Sequence, residues 1–310
     1  MSELDLDNFY FDEESFIKNE TSQIDLSGLT GGKHLRSKLL SLTGQIFFPK
    51  NSELVKLGRI VELVHNATLT HDDVIDNSHT RRGSPSVPAQ INNKKSVLLG
   101  DYMLARALHE LSEFKNPELT KELTLTLKDL VEGEWIQYEN TNPYDISFSL
   151  YETLALKKTS SLFRWSFIAP LLASKNSDQH IYDLLVEFGE KLGVIFQMTD
   201  DLIDFNPESK KTYGLDFKNN NINFVLQFIG QKYPEYAKSF LHKDDITELN
   251  ETEVLALNEA INLAKVEIQK YLTRCYDLLA HLKEKCNLSD DHTSLNEFKL
   301  ILDLITNRVY

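Results

Sequence analysis

The stretch Leu69-Thr70-His71-Asp72-Asp73-Val74-Ile75-Asp76 sets an Asp-Asp-x-x-Asp cluster at the end of an apolar run. That run carries Leu54, Leu57, Ile60, Val61, Val64, Ala67, Leu69 and Ile75 near helical spacing. On a helix, residues four apart share a face, with Cβ atoms about 5–6 Å apart. Asp72 and Asp76 therefore point the same way, and Asp73 lies about 100° round the axis. Like charges so placed repel each other unless a cation sits between them. A single cluster of this kind is more often a solvated acidic face. The pattern recurs, however, as Asp200-Asp201-Leu202-Ile203-Asp204 after a second helical run. Two copies with one spacing, both embedded in apolar helix, point to a paired metal site built from Asp72, Asp73, Asp76, Asp200, Asp201 and Asp204. All six are carboxylates, which suits Mg2+ carried with substrate phosphates better than zinc.

The remaining chain also reads as helix. Segments are expected at about 4–20, 35–47, 52–78, 94–114, 117–140, 147–174, 178–205, 221–231, 234–242, 251–284 and 292–308. The eight prolines fall between periodic segments and punctuate them. No Asn-Gly or Asp-Gly hairpin and no sustained period-two alternation marks a strand. No Pro-, Gly- or Ser-rich linker divides the chain. The expected fold is all-α: one domain over residues 1–310, a single large helical bundle whose two Asp clusters point into a deep central cavity.

Several classes are disfavoured. The net charge is −14 with no basic stripe, which argues against a nucleic-acid partner. No apolar run reaches the ~18 residues that would suggest a membrane span. Met1 to Glu14 is acidic and lacks a basic-then-apolar signal pattern. Cys275 and Cys286 fit neither Cys-x-x-Cys nor a zinc spacing and read as reduced thiols, so a cytoplasmic protein is expected. Asn19-Glu20-Thr21 matches a glycosylation sequon, but nothing else suggests secretion.

Cationic segments surround the two clusters. Gly31-Gly32-Lys33-His34-Leu35-Arg36 offers a flexible backbone, a helix start and two cations three apart, which suits a diphosphate; a plain helix cap is the simpler reading. Arg81-Arg82-Gly83 follows the first cluster and either neutralises it or clamps a diphosphate bidentately. Lys157-Lys158-Thr159 lies in an apolar helical context, where a lysine wants an anionic partner. Lys210-Lys211 follow the second cluster and are equally readable as surface lysines. His65 lies seven residues before Asp72 on nearly the same face, as a functional group or a satisfied core histidine.

Taken together and in order, these segments resemble the trans-isoprenyl diphosphate synthases, or head-to-tail polyprenyl synthetases. The resemblance rests on Gly31 to Arg36, His71 to Asp76 followed by Arg81-Arg82-Gly83, and Gly100-Asp101. It continues through Gly133-Glu134-Trp135-Ile136-Gln137, Lys158-Thr159 and Phe196-Gln197-Met198-Thr199-Asp200-Asp201-Leu202-Ile203-Asp204. It implies the isoprenoid synthase fold, Mg2+ and a homodimer. Asp72, Asp76 and Asp200 would hold the metal ions that bridge an allylic diphosphate. Arg81, Lys158 and Lys211 would contact that diphosphate, with Thr159 and Gln197 nearby. Lys33, Arg36, His65 and Arg82 would bind isopentenyl diphosphate. The implied catalytic group is Asp72, Asp76, Arg81, Lys158 and Asp200. The implied reaction lengthens an allylic diphosphate by isoprene units, through an allylic cation that an apolar cavity shields from water.

Val64, Ala67 and Thr68 precede the first cluster by one to two turns, and none is aromatic. Short-chain members resemble this pattern with a bulky aromatic there, so a long all-trans product of about C30–C45 is expected, as in octaprenyl diphosphate synthases. By the same resemblance, an aromatic at position 67 is expected to shorten the product. Trp135 is the expected deeper floor. A short-chain farnesyl or geranylgeranyl synthase is the alternative. The chain departs from the family at His34, where Arg is usual, at Ser37, where Pro is common, and at Asn221, where a late active-site Lys is expected. Lys218 is a candidate substitute for that lysine. The last departure keeps a non-catalytic regulatory subunit of a heteromeric synthase in view. A metal-dependent phosphohydrolase using His65, His71, Asp72 and Asp204, and a terpene cyclase, are rivals that leave the isopentenyl-site cations without a purpose.

Overall fold

The computed structural model describes residues 24–30, 32, 34–47, 52–207, 213–243 and 245–307, together with Ile17. The expected helix over 4–20, apart from Ile17, lies outside the described residues. So do the sequon, Lys33, Lys210 and Lys211. The chain divides into two compact units, Met1–Glu122 with Ala169–Asn176, and Leu123–Ile168 with Ser177–Tyr310.

In the first unit, short α1 (Ser27–Thr30) leads into α2 (Leu35–Phe47) and then α3 (Glu53–Ile75). A two-residue hairpin follows, β1 (Thr80–Arg81) and β2 (Ser84–Pro85), paired antiparallel with Arg81 opposite Ser84. Next come α4 (Val87–Ile91), α5 (Asn93–Ser112) and α6 (Pro117–Glu139). The apolar run before the first Asp cluster is what folds α3 onto α5. Leu57, Ile60, Val61, Val64 and Ala67 on α3, and Leu99, Met103, Ala107 and Leu111 on α5, are buried. Each large side chain among them contributes about 1.5–3 kcal/mol. Lys56 pairs with Glu113 at 3.0 Å, and Arg59 with Glu110 at 2.7 Å. At the other end of α3, His71 lies over Gly100. Numbers rise on α3 as they fall on α5, so the two helices run antiparallel.

The hairpin is a difference from the all-helical expectation. Its turn residues, Arg82 and Gly83, both have left-handed φ, 52° and 82°. That is the requirement of the tight hairpin turn that Asn-Gly usually announces. With Arg in the first position the local signal is weak, and the sequence gives no warning.

The second unit continues α6. A short 3-10 turn (Pro143–Asp145) precedes α7 (Phe148–Leu154), a π-helical turn (Ala155–Ser160) and α8 (Ser161–Ala173). Then come α9 (Gln179–Asp204), α10 (Leu215–Asn219), α11 (Phe224–Lys232), α12 (Pro234–Phe240), a 3-10 turn (Ile246–Glu248), α13 (Glu251–Lys285) and α14 (Thr293–Thr306). Helix α9 packs on α13 and α14. Phe167, Phe188 and Phe298 meet at its flank, with ring centroids 4.8–5.8 Å apart.

The expected helix over 147–174 is thus interrupted by a π turn. Two glycines on other helices explain how the chain fits there. A Cβ on Gly133 of α6 would sit 2.6 Å from the Lys158 nitrogen, and one on Gly193 of α9 would collide with the Ser160 Cα. The widened turn is therefore gripped by two bare backbones, an arrangement frequent at functional positions.

Candidate active site

The structure groups the expected site residues in two sets, one in each unit. In the first, the last turn of α3 presents the first Asp cluster. Asp76 caps the helix with helical φ and ψ, its N–H donating to the Asp72 carbonyl at 2.8 Å. Asp72 and Asp76 therefore share a face; Asp76 is exposed and Asp72 partly so. Asp73 is different. It is 1 % exposed, and its carboxylate accepts from Arg81 Nε at 2.8 and 2.9 Å and from Nη2 at 2.6 Å. Asp73 is thus an ion-pair partner rather than an outward-facing ligand, and Arg81 has two of its three nitrogens committed to it.

Behind this turn lies a concentration of cations. Arg36 Nη1 meets His65 Nε2 at 3.2 Å. Arg82 donates Nη1 to the Leu29 carbonyl at 3.1 Å and passes so near Gly32 that a Cβ there would lie 2.8 Å away. A side chain at position 32 would have to displace that guanidinium. Burial holds His65 well below the usual imidazole range, and the charges of Arg36, Arg82, Arg81 and His34 push the same way. His65 is therefore neutral. Burial also lowers Arg36 to about 10, against the pull of Glu62. Glu62 is the buried acid here; its carboxylate takes the Ser37 N–H at 3.1 Å and the His34 ring at 3.3 Å. Burial raises its pKa, but those hydrogen bonds and the Arg36 charge hold it below the ordinary value.

His71 is fixed by α5. Its Nε2 lies 3.2 Å from the Val97 carbonyl and 3.5 Å from Asp101, and any side chain at Gly100 would collide with the ring. Because His71 faces α5, so do Ala67 and Val64, four and seven residues earlier. Both are fully buried. Of the three α3 residues expected to set product length, only Thr68 shares the face of Asp72.

In the second set, Lys158 comes from the π turn. Its ammonium is 2.5 Å from Glu134 and 2.9 Å from the Gln137 amide oxygen. Lys157 diverges to Asp129 and Glu132. Thr159 donates to Gln197 Oε1 at 2.7 Å, and Gln197 Nε2 donates to Asp201 at 2.8 Å. Asp201 also accepts from Tyr151 at 2.7 Å and from the Phe224 N–H at 2.8 Å. Burial, then the charge of Asp216, pushes Asp201 upward, and its three donors pull it back. Asp204 accepts the Leu215 and Asp216 N–H groups, both at 3.0 Å, and so starts α10. Asp201 and Asp204 are therefore internal anchors, and Asp200 is the partly exposed member of its cluster.

One expectation is corrected. Trp135 is 67 % exposed, so it is not a buried floor; Glu134 and Gln137 occupy the flank of α6 that meets Lys158. Lys218 is exposed in the last turn of α10, and Asn221 and Asn223 donate to Asp216 at 3.2 and 2.9 Å. Residues that sequence reasoning does not single out are Tyr151, Glu62 and Asp216. Glu134 and Gln137 stand within a recognised motif, and their i, i+3 spacing is the available signal.

Among the described residues, no group of three His, Cys, Asp or Glu side chains lies close enough to hold a metal alone. The outward donors are carboxylates, a set that suits Mg2+ held by one or two side chains plus substrate phosphates.

A model described as polyprenyl synthetase matches residues 22–263. The chain belongs to the polyprenyl synthetase family. It is 32 % identical over 259 residues to a decaprenyl-diphosphate synthase of Dictyostelium discoideum, covering 82 % of this chain and 56 % of that protein. It is 31 % identical to decaprenyl-diphosphate synthase subunit 1 of Schizosaccharomyces pombe, covering 78 % and 66 %. The chain thus spans between half and two thirds of the length of these relatives. Its fold is similar to that of a polyprenyl synthase from Caulobacter crescentus complexed with calcium and isoprenyl diphosphate. The TM-score is 0.78 at 23 % identity, covering 98 % of this chain and 93 % of that one. No helix among the described residues is long and apolar enough to cross a membrane.

Proposed function

We propose that the protein is a trans-prenyltransferase that condenses isopentenyl diphosphate with an allylic diphosphate to build a long-chain all-trans polyprenyl diphosphate. The observation that carries this reading is the grouping of Arg36, Arg81, Arg82 and His34 around neutral His65, with Arg36 at 3.2 Å from it, on the α3 face that also carries Asp72. A field of that sign wants a polyanion, and guanidinium groups match phosphate oxygens.

Arg36, His65 and Arg82, with Lys33, bind the isopentenyl diphosphate. Asp72 and Asp76 in the first unit and Asp200 in the second are the carboxylates that would hold Mg2+, which when bound would neutralise the charge on the departing diphosphate. Arg81 keeps Asp73 neutralised and offers Nη1 to the allylic diphosphate. Lys158, oriented by Glu134 and Gln137, adds a fixed cation, and Lys211 is assigned to the same diphosphate. Thr159 and Gln197 order the adjacent wall. The Caulobacter protein is a complex with calcium and isoprenyl diphosphate, which supports the ligand class. The two relatives are named for a decaprenyl product, which supports the product class. A cytoplasmic setting accords with the two free cysteines.

A homodimer is part of the proposal. Val131, Trp135 and Tyr138 are 67–70 % exposed along one stripe of α6, an apolar face of the kind that marks an interaction site. A second reading, a regulatory subunit of a heteromer, draws on Asn221 and on the relative named as subunit 1.

The test is incubation of purified protein with Mg2+, isopentenyl diphosphate and farnesyl diphosphate, with the product sized by chromatography. Prenyl diphosphates of about C30 or longer are expected. Phosphate release without elongation would favour a hydrolase, and elongation only after a partner subunit is added would favour the regulatory reading.

A further inference from the structure

We propose that Tyr151 is a positioning residue: its hydroxyl, acting through Asp201 and Gln197, fixes the direction in which Thr159 presents its oxygen. This rests on the prenyltransferase reading above.

The chain of contacts is short and continuous. The Tyr151 hydroxyl and the Phe224 N–H both donate to one Asp201 oxygen, and Gln197 Nε2 donates to the other. Asp201 is 3 % exposed, so no solvent substitutes for a lost donor. With donors on both Asp201 oxygens, Gln197 turns its amide nitrogen inward. Its Oε1 must then face Thr159, whose hydroxyl proton is committed to it at 2.7 Å. The lone pairs of Thr159 are what remain for the site, and they would suit a donor that accompanies the diphosphate, such as a Mg2+-held water, rather than the diphosphate oxygens themselves. One end of this chain is thus a buried phenol on α7, and the other a hydroxyl on the π turn beside Lys158.

The phenol is built in firmly. Tyr151 is 1 % exposed, and its ring stacks on Phe224 with centroids 4.9 Å apart. Phe224 also supplies the N–H that shares the Asp201 oxygen, so one residue holds both the ring and its acceptor. Phenylalanine at 151 preserves the stack and removes only the oxygen. Asp201 then keeps one donor on that side and is released to rotate, and Gln197 loses its reference.

The readout is binding of a non-hydrolysable allylic thiolodiphosphate in the presence of Mg2+, by calorimetry, alongside steady-state kinetics. Tyr151→Phe is expected to bind the analogue about five- to tenfold more weakly and to lose kcat. KM for isopentenyl diphosphate should not change, because Arg36, His65 and Arg82 are not part of this chain. Gln197→Leu should weaken the analogue to a similar degree, and the double variant should be no worse than Gln197→Leu alone, since both cut one line. Phe224→Leu, which loses the stack and keeps the hydroxyl, should lower stability while retaining affinity.

Wild-type affinity in Tyr151→Phe or in Gln197→Leu overturns the proposal. So do multiplying effects in the double variant, or an equal loss of affinity in Phe224→Leu. If the wild-type protein makes no longer prenyl chain, the functional reading fails, while the analogue titrations still decide the role of Tyr151.

Discussion

Three of the six cluster aspartates are occupied inside the protein. Spacing alone does not distinguish them. Asp72 and Asp73 differ by one step round α3, and that step takes Asp73 from the water-facing side to the Arg81 guanidinium. The sequence shows that carboxylates recur at helical spacing, but not which of them a distant residue claims: Tyr151 reaches Asp201 from 50 positions away. His65 gives a residue-scale prediction in pH. Its folded pKa lies well below 6.5, so below pH 6.5 the unfolded chain takes up a proton that the folded chain refuses. Stability is complete above pH 6.5 and falls as pH drops, by up to about 1.4 kcal/mol per unit. Urea midpoints at pH 7.5 and 5.5 should show this loss, and His65→Gln should lack its share of it. Gln227 gives a second. It is fully buried on α11, and neither end of its amide has a partner. An unpaired buried polar group costs about 1–3 kcal/mol, so Gln227→Leu should raise the midpoint rather than lower it.

At the scale of elements, periodicity locates nearly every long helix, because an apolar stripe both reveals a helix and pays for its packing. Leu35–Phe47 falls on the expected bounds, and Glu53–Ile75 ends three residues early. The π turn is illegible for a physical reason: it depends on Gly133 and Gly193, which lie on other helices. The face of α3 is half legible. Spacing sets Ala67 and Val64 with His71 rather than with Asp72, but only the contact of His71 with Gly100 shows that this side meets α5. This changes what an aromatic substitution does. Ala67→Phe first overpacks a closed seam, at about 1–3 kcal/mol, before it can act on product length. Thr68→Phe, on the face of Asp72, is the cleaner plug. It should shorten the prenyl product with little change in melting temperature, while Ala67→Phe should lower that temperature. Equal product lengths for wild type and Thr68→Phe would remove position 68 from length control.

For the whole molecule, the reassignment of Trp135 has the largest consequence. A tryptophan inside a synthase motif invites a role in the cavity, and its exposure moves the question to assembly. Val131, Trp135 and Tyr138 span about 10 Å of one helix, at about 1.5 Å per residue. A stable dimer buries roughly 1,200–2,000 Å2, so this stripe alone is too small and must be the centre of a wider contact. Central tryptophans and tyrosines carry a disproportionate share of association energy, and a charge set among them is desolvated without a partner. Trp135→Glu should therefore weaken self-association at least a hundredfold in sedimentation equilibrium, with helical content preserved. Leu255→Glu, a substitution at a similarly exposed leucine on α13, should leave the association constant unchanged. A Trp135→Glu protein that sediments as the wild type does would move the interface away from α6 and leave the exposed stripe without a function.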